Sequence, residues 1–279
     1  MSSATQTRRI LLLTAVLCVI WIGLGSWLPR PELAETNYVA NRLRIERFLL
    51  DSAPSNVVVG TSLSGRLQPS FFSGTTLASM ANLGLDGANP DTGLTLVLKQ
   101  ARPPERVFLE VHRLIMPPGA NDTQLLNLTQ GPGLELSRWA ALTRAMSRPS
   151  TVLYGWLKGQ QSGGGSTVTP GSQITRPGTV TVEPDPKWAP RIREKVRQVE
   201  ARGTKVYLLR LPVGRENPVD AQAKSFADEA SMELGLPLVD LYRLSQAEGV
   251  EIRYTDGLHL TPQSAVWLAG RLAQAVSSK

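Results

Sequence analysis

Thiol chemistry is almost absent from this chain. Its 279 residues include one cysteine, Cys18, and that residue lies inside a long apolar run near the N-terminus. The part beyond the run therefore offers no disulfide, no metal–thiolate site and no cysteine nucleophile. Ala15-Val16-Leu17 precede Cys18, and the bulky leucine argues against a lipoprotein signal. Histidine is nearly as scarce: only His112 and His259 are present, so an imidazole base must be one of these two. No G-x-G-x-x-G or GK[ST] follows a strand-like run, which removes the dinucleotide fingerprint and the phosphate loop. Charged residues make up only 19% of the chain, and the formal net charge is +7. The basic residues are spread out, without a Lys/Arg block or interleaved aromatics, so no nucleic-acid partner is expected. Such a balance suits an anionic polymer or a membrane surface.

What the chain does have is one long apolar segment. Residues Ile10 to Leu28 carry no charge, and about 19 residues suffice to span a bilayer core as a helix. Arg8 and Arg9 precede the run, which by the positive-inside rule places the N-terminus in the cytoplasm. The expectation is a single-pass anchor in the inner (cytoplasmic) membrane, with the remaining chain periplasmic or extracytoplasmic. A cleaved signal peptide is the alternative, because Gly23-Leu24-Gly25 offers small residues at a cleavage site.

Residues 1–30 are thus read as cytoplasmic tip and anchor, 31–55 as a juxtamembrane helix, and 56–279 as one α/β domain. Val57-Val58-Val59 is a β-branched run without polar alternation, as in a buried parallel strand. Met80–Leu85, Arg106–His112, Lys205–Leu211 and Leu238–Asp240 read as further strands. Helices are expected over Asp91–Gln100, Leu134–Met146, Trp188–Arg202 and Asp220–Leu234. A last helix begins with Thr261 as N-cap and Pro262 at its first position, and runs to about Val276. Residues 159–186, rich in Gly, Ser, Thr and Pro, read as an irregular insertion. Strand alternating with helix predicts a three-layer α/β/α sandwich on a central parallel sheet of about five strands.

In such a sheet ligands bind at the carboxyl ends of the strands. Ser62 follows the first strand, Gly87 lies in the turn after the second, and His112 ends the third. Asp256 and His259 lie in the loop before the last helix. A serine nucleophile, an imidazole base and a carboxylate to orient it are the parts that acyl transfer requires.

These residues carry a resemblance to a known family. Gly60-Thr61-Ser62-Leu63-Ser64 resembles the first conserved block of the SGNH, or GDSL, hydrolase superfamily, whose serine is the nucleophile. Asn82-Leu83-Gly84-Leu85-Asp86-Gly87 is similar to the second block, whose last glycine gives a backbone N–H to the oxyanion. Asp256-x-x-His259 matches the last block, which holds acid and base. The sequence departs from the pattern twice. Thr61 replaces the aspartate of the GDS triplet, and the third-block Gly-x-Asn-Asp is missing, with His112 nearest the place of the oxyanion-binding asparagine. The resemblance implies an SGNH-hydrolase-like, flavodoxin-like fold and a serine enzyme without metal or cofactor. Ser62, Asp256 and His259 would be catalytic, with Gly87 and His112 at the oxyanion.

Anchored extracytoplasmic relatives of that superfamily add or remove acyl groups on cell-surface polysaccharides, some beside membrane-bound O-acyltransferases. The implied activity is an O-acetyltransferase or acetylesterase acting on an exported glycan. The implied partners are that glycan and a membrane-bound O-acyltransferase or polysaccharide synthase. A non-catalytic scaffold or glycan-binding subunit of the same fold is the alternative, favoured by the missing asparagine. A lipase or thioesterase is a third reading.

Overall fold

The computed structural model describes residues 3–27, 36–51, 53–139, 143–162, 185–213 and 218–277. Helix α1 (Ser3–Trp27) contains the apolar run, and its window Ala4–Trp21 is long and apolar enough to cross a membrane. Leu28, the expected end of the span, lies outside the described residues, as does most of the Gly/Ser/Pro-rich insertion.

Beyond α1 the chain forms α2 (Asn37–Leu50), β1 (Asn56–Gly60), β2 (Met80–Gly84), α3 (Pro90–Lys99), β3 (Arg106–Glu110) and α4 (Ala120–Asn127). Next come α5 (Pro132–Trp139), α6 (Pro149–Ser162), α7 (Trp188–Glu200), β4 (Lys205–Arg210) and α8 (Pro218–Leu234). The chain closes with β5 (Leu238–Asp240), α9 (Leu241–Ala247) and α10 (Pro262–Ser277). All five strands pair in parallel, in the order β2-β1-β3-β4-β5. This is the flavodoxin-like order, and its direction of winding reverses between β1 and β3, where open α/β sheets bind ligands.

Both sheet faces are covered, which is why the strands are apolar without alternation. Val57, Val59, Leu83, Val107, Leu109 and Leu208 meet α2, α3, α7 and α8 on one face. Val58, Phe108, Tyr207, Leu209 and Val239 meet α9, α10 and the segment Leu67–Leu77 on the other. The architecture is the expected three-layer α/β/α sandwich.

Three elements differ from expectation. Helix α2, expected as a juxtamembrane helix over 31–55, spans Asn37–Leu50, and its Ile45 and Phe48 are buried in the main core. It starts where Thr36 caps Val39 N–H and stops at Asp51, whose backbone is extended, three residues before Pro54. The helix expected over 134–146 is not continuous: α5 ends at Trp139, Arg144 is extended (φ −68°, ψ 147°), and a short 3-10 turn, Ala145–Ser147, follows. Residues 159–162, expected in the insertion, continue α6. Elsewhere Pro262 opens α10 as expected, and α7 stops at Glu200, three residues before Gly203 with φ +86°.

Candidate active site

Ser62 stands in the turn just beyond β1, half-buried. About 200 residues on, a small loop returns to it. Tyr254 and Leu260 pair across that loop in an antiparallel bridge, and Leu260 is buried in the core. Between them, His259 Nε2 comes 2.9 Å from Ser62 Oγ, and His259 Nδ1 lies 2.6 Å from Asp256 Oδ2. The other Asp256 oxygen, Oδ1, accepts the N–H groups of Leu258 (3.0 Å) and His259 (2.7 Å). The carboxylate is therefore fixed to its own loop before it touches the ring.

With Asp256 accepting at Nδ1, that nitrogen carries the proton and Nε2 presents its lone pair to the serine hydroxyl. The arrangement can take the Oγ proton and stabilise the resulting imidazolium. Partial burial pushes the Asp256 pKa up, but the hydrogen bonds from His259 and Leu258 outweigh it and hold the carboxyl below its usual value. It stays ionised where the histidine needs it.

Behind the serine sits a group that the sequence did not single out. Glu110 ends β3, next to β1, and is fully buried. Its Oε2 accepts Thr61 N–H (2.9 Å) and Ser64 N–H (3.1 Å), and its Oε1 accepts the Thr61 hydroxyl (2.7 Å). One carboxylate thus pins both sides of the turn that carries Ser62. A Cβ on Gly60 would overlap Glu110 Oε2 and Ser64 Oγ, so this close approach requires glycine there. Burial raises the Glu110 pKa, but His112 and the donors of the turn more than compensate, and the net direction is down.

His112 belongs to the same buried layer. Its side chain has no solvent exposure, and Nδ1 lies 3.4 Å from Glu110 Oε1. The structure thus places the imidazole against Glu110, with no surface on the solvent side of the rim. Its Nε2 has no hydrogen-bond partner among the described residues.

Gly87 does lie on the rim, in the turn after β2, with φ +72°. That left-handed backbone suits glycine. The preceding Asp86 is braced by α2: Asn41 exchanges two hydrogen bonds with its backbone (2.9 and 2.8 Å), and Arg44 Nη1 reaches its carboxylate at 3.1 Å. From α4, Asn121 donates its amide to Asp86 O at 3.3 Å and sits 3.5 Å from where a Gly87 Cβ would be. Asn121 is thus a side-chain amide beside the Gly87 turn, which the polar stretch 120–127 did not reveal.

Asn82, read in the second block, ties β2 to the serine turn. Its amide donates to Ser64 O (2.8 Å) and Leu67 O (2.6 Å), while its Oδ1 accepts Gly84 N–H. The turn after β3 carries Arg113 at φ 63°, its carbonyl held by Asn89 Nδ2 at 2.8 Å. Of the five expected site residues, Ser62, Asp256 and His259 form one hydrogen-bonded chain, Gly87 lies in the neighbouring turn, and His112 lies beneath. No protein-family model matches the chain, and no curated protein matches it.

Proposed function

We propose that this protein is a serine acyl-transfer enzyme of SGNH type, an O-acetyltransferase or acetylesterase acting on an exported polysaccharide. The observation that carries the reading is the chain Ser62–His259–Asp256, at 2.9 and 2.6 Å. His259 takes the Ser62 proton as Oγ attacks an ester carbonyl, and the imidazolium returns it to the departing alcohol. The acyl-serine then passes its acyl group to water or to a sugar hydroxyl, with His259 as base again. The developing oxyanion would meet backbone N–H groups of the Ser62 and Gly87 turns. Asn121, rather than the buried His112, is the side-chain amide available to join them.

The α1 anchor fits a single pass through the inner membrane with the α/β domain on the extracytoplasmic side, near a membrane-bound acyl donor. A tether of this kind raises the effective concentration of donor and acceptor.

The test is hydrolysis of p-nitrophenyl acetate by the full-length protein in detergent, beside Ser62→Ala, together with labelling by a fluorophosphonate. The wild type is expected to release nitrophenol and take the label, and Ser62→Ala to do neither. Equal rates in the two proteins, on this ester and on an acetylated glycan, would leave the scaffold reading.

A further inference from the structure

Glu110 is a carboxylate without solvent exposure, and both of its oxygens serve the turn that carries Ser62. Burial disfavours the charged form of a carboxyl group. A protonated Glu110 would turn one oxygen into a donor and would lose the charge that strengthens its bonds to the Thr61 and Ser64 N–H groups. The donors from the turn are neutral. Among the described residues, the one basic side chain in ion-pair contact with this carboxylate is His112.

The strand delivers His112 to that place. It stands two residues after Glu110, and Val111 between them continues the ladder by donating to Leu209 O at 3.0 Å. The strand alternation therefore returns the imidazole to the face that Glu110 takes. There the ring has no solvent exposure, and Nδ1 lies 3.4 Å from Glu110 Oε1. Neither ring nitrogen has a hydrogen-bond partner among the described residues. Buried polar atoms without partners are costly, so an imidazole that keeps two of them calls for a reason. The reason lies in the neighbouring anion. At 3.4 Å the contact is longer than a close hydrogen bond, but in a low-dielectric interior an Nδ1 proton beside a carboxylate still favours its charge. Burial pushes the Glu110 pKa up; among the groups that outweigh it, His112 comes ahead of Ser64 and Thr61.

We propose that His112 is a positioning residue for Ser62 that acts through Glu110: its Nδ1 proton backs the buried carboxylate, and the carboxylate holds the Thr61 and Ser64 N–H groups on either side of the nucleophile. The support runs from β3 to β1, beneath the rim. His112 has no surface toward solvent, so its loss is expected in turnover rather than in binding. The two histidines of the chain then serve the same serine, His259 as its base and His112 through its turn. The inference rests on the proposed function, in which Ser62 is the nucleophile.

The experiment is a double-mutant cycle on the full-length protein in detergent, with kcat and KM measured on p-nitrophenyl acetate. The variants are His112→Leu, His112→Asn, Glu110→Gln and the double variant Glu110→Gln/His112→Leu. His112→Leu is expected to lower kcat by about 10- to 100-fold through a displaced turn, with KM changed much less. His112→Asn can present an amide N–H near the place of Nδ1 and should recover most of that loss. In the Glu110→Gln background the leucine should change kcat little, because the charge that His112 supports is already gone. A His112→Leu protein with kcat within about twofold of wild type would overturn the proposal. So would an asparagine variant as slow as the leucine one, since ring volume would then matter and the N–H would not. A leucine effect of the same size with and without Glu110 would overturn it too, by separating His112 from the carboxylate. Should His112→Leu alone lose its cooperative urea transition, Glu110→Gln against the double variant decides by the same criterion, since no buried anion is left unsupported there. A wild type no faster than Ser62→Ala would instead remove the proposed function, and this inference with it.

Discussion

Removing the Glu110 carboxylate tests the buried support of the serine turn most directly. Glu110→Ala strips the acceptor from Thr61 N–H and Ser64 N–H at once, and both lie in a region without solvent. An orphaned buried donor costs about 1–3 kcal/mol, so the pair costs about 2–6 kcal/mol. Water entering the vacated space would hold the loss near the lower figure. Against a total stability of about 5–15 kcal/mol, either is a large fraction. Glu110→Gln is the informative partner. Both N–H groups bond the same oxygen, Oε2, so a glutamine that puts its carbonyl there keeps both. Its NH2 then takes the place of Oε1 and faces the Thr61 hydroxyl, which must turn to accept. The charge-assisted bonds become ordinary ones, but the cost of burying an ion also disappears. The net expectation is about 0–2 kcal/mol.

The measurement is urea unfolding of the full-length protein in detergent, followed by tryptophan fluorescence, over a range of pH. Because the Glu110 pKa is depressed in the folded protein, its contribution is complete above the ordinary carboxylate value. That contribution is lost as pH falls through the depressed one. Wild-type stability should therefore fall on acidification more steeply than that of Glu110→Gln, whose amide does not titrate. Activity should drop in both variants through kcat more than KM, since a displaced turn misplaces Ser62; a shift of about 1 Å can cost about 100-fold. If Ala and Gln prove equally costly, or if Ala loses less than about 1 kcal/mol, the carboxylate does not hold the turn and the reasoning fails.

Asp256→Asn should keep the fold, because its side chain sits in a surface loop outside the core and is 39% exposed, and lower ester turnover by about 10⁴-fold through the wrong imidazole tautomer. Turnover within tenfold of wild type, measured with p-nitrophenyl acetate, would detach Asp256 from the mechanism. Gly60→Ala places a methyl group against Glu110 and Ser64 and should destabilise by about 1–3 kcal/mol, read in the same urea titration. An unchanged midpoint would mean that the turn can yield.

The strands and the Ser62–His259 relationship were legible because each is written locally. Val57-Val58-Val59 declares a buried parallel strand by composition, and Thr261-Pro262 declares the start of a helix. His259 had a single rival in the chain, and Asp256 stands three residues before it. Glu110 was hidden for the opposite reason. It lies in Leu109-Glu110-Val111-His112, which reads as a strand with polar residues on one side, and its partners Thr61 and Ser64 are 49 and 46 positions away. Only the register of β1 beside β3 brings them together. The one available sign was Thr61 itself, a neutral residue where the resemblance leads one to expect a carboxylate; the structure supplies that charge from β3. His112 was misplaced for a related reason: a strand-end position shows neither which face a side chain takes nor that a neighbouring glutamate will claim it. Helices α4 and α9 escaped because eight and seven residues are too few to show a period.

The back and front of the site differ, and the difference bears on what an acyl-serine would do. Behind Ser62, Glu110, Asn82 and the Arg44–Asp86 pair hold both turns from buried or largely buried positions. In front, the His259 side chain keeps 19% of its exposure and Asp256 39%. A stiff rear wall positions the nucleophile, while an open front lets water reach the ester as readily as a sugar hydroxyl can. On the proposed reading, the isolated protein should therefore hydrolyse small esters, and transfer should prevail only when something covers that front. A polymer chain lying along the rim would do so, excluding water while bringing its own hydroxyl to the acyl carbon. The balance between transfer and hydrolysis would then be set by acceptor length rather than by a change in the triad. Longer glycan acceptors should raise the transfer-to-hydrolysis ratio in a product analysis with one acetyl donor, and a ratio independent of length would place the water barrier elsewhere.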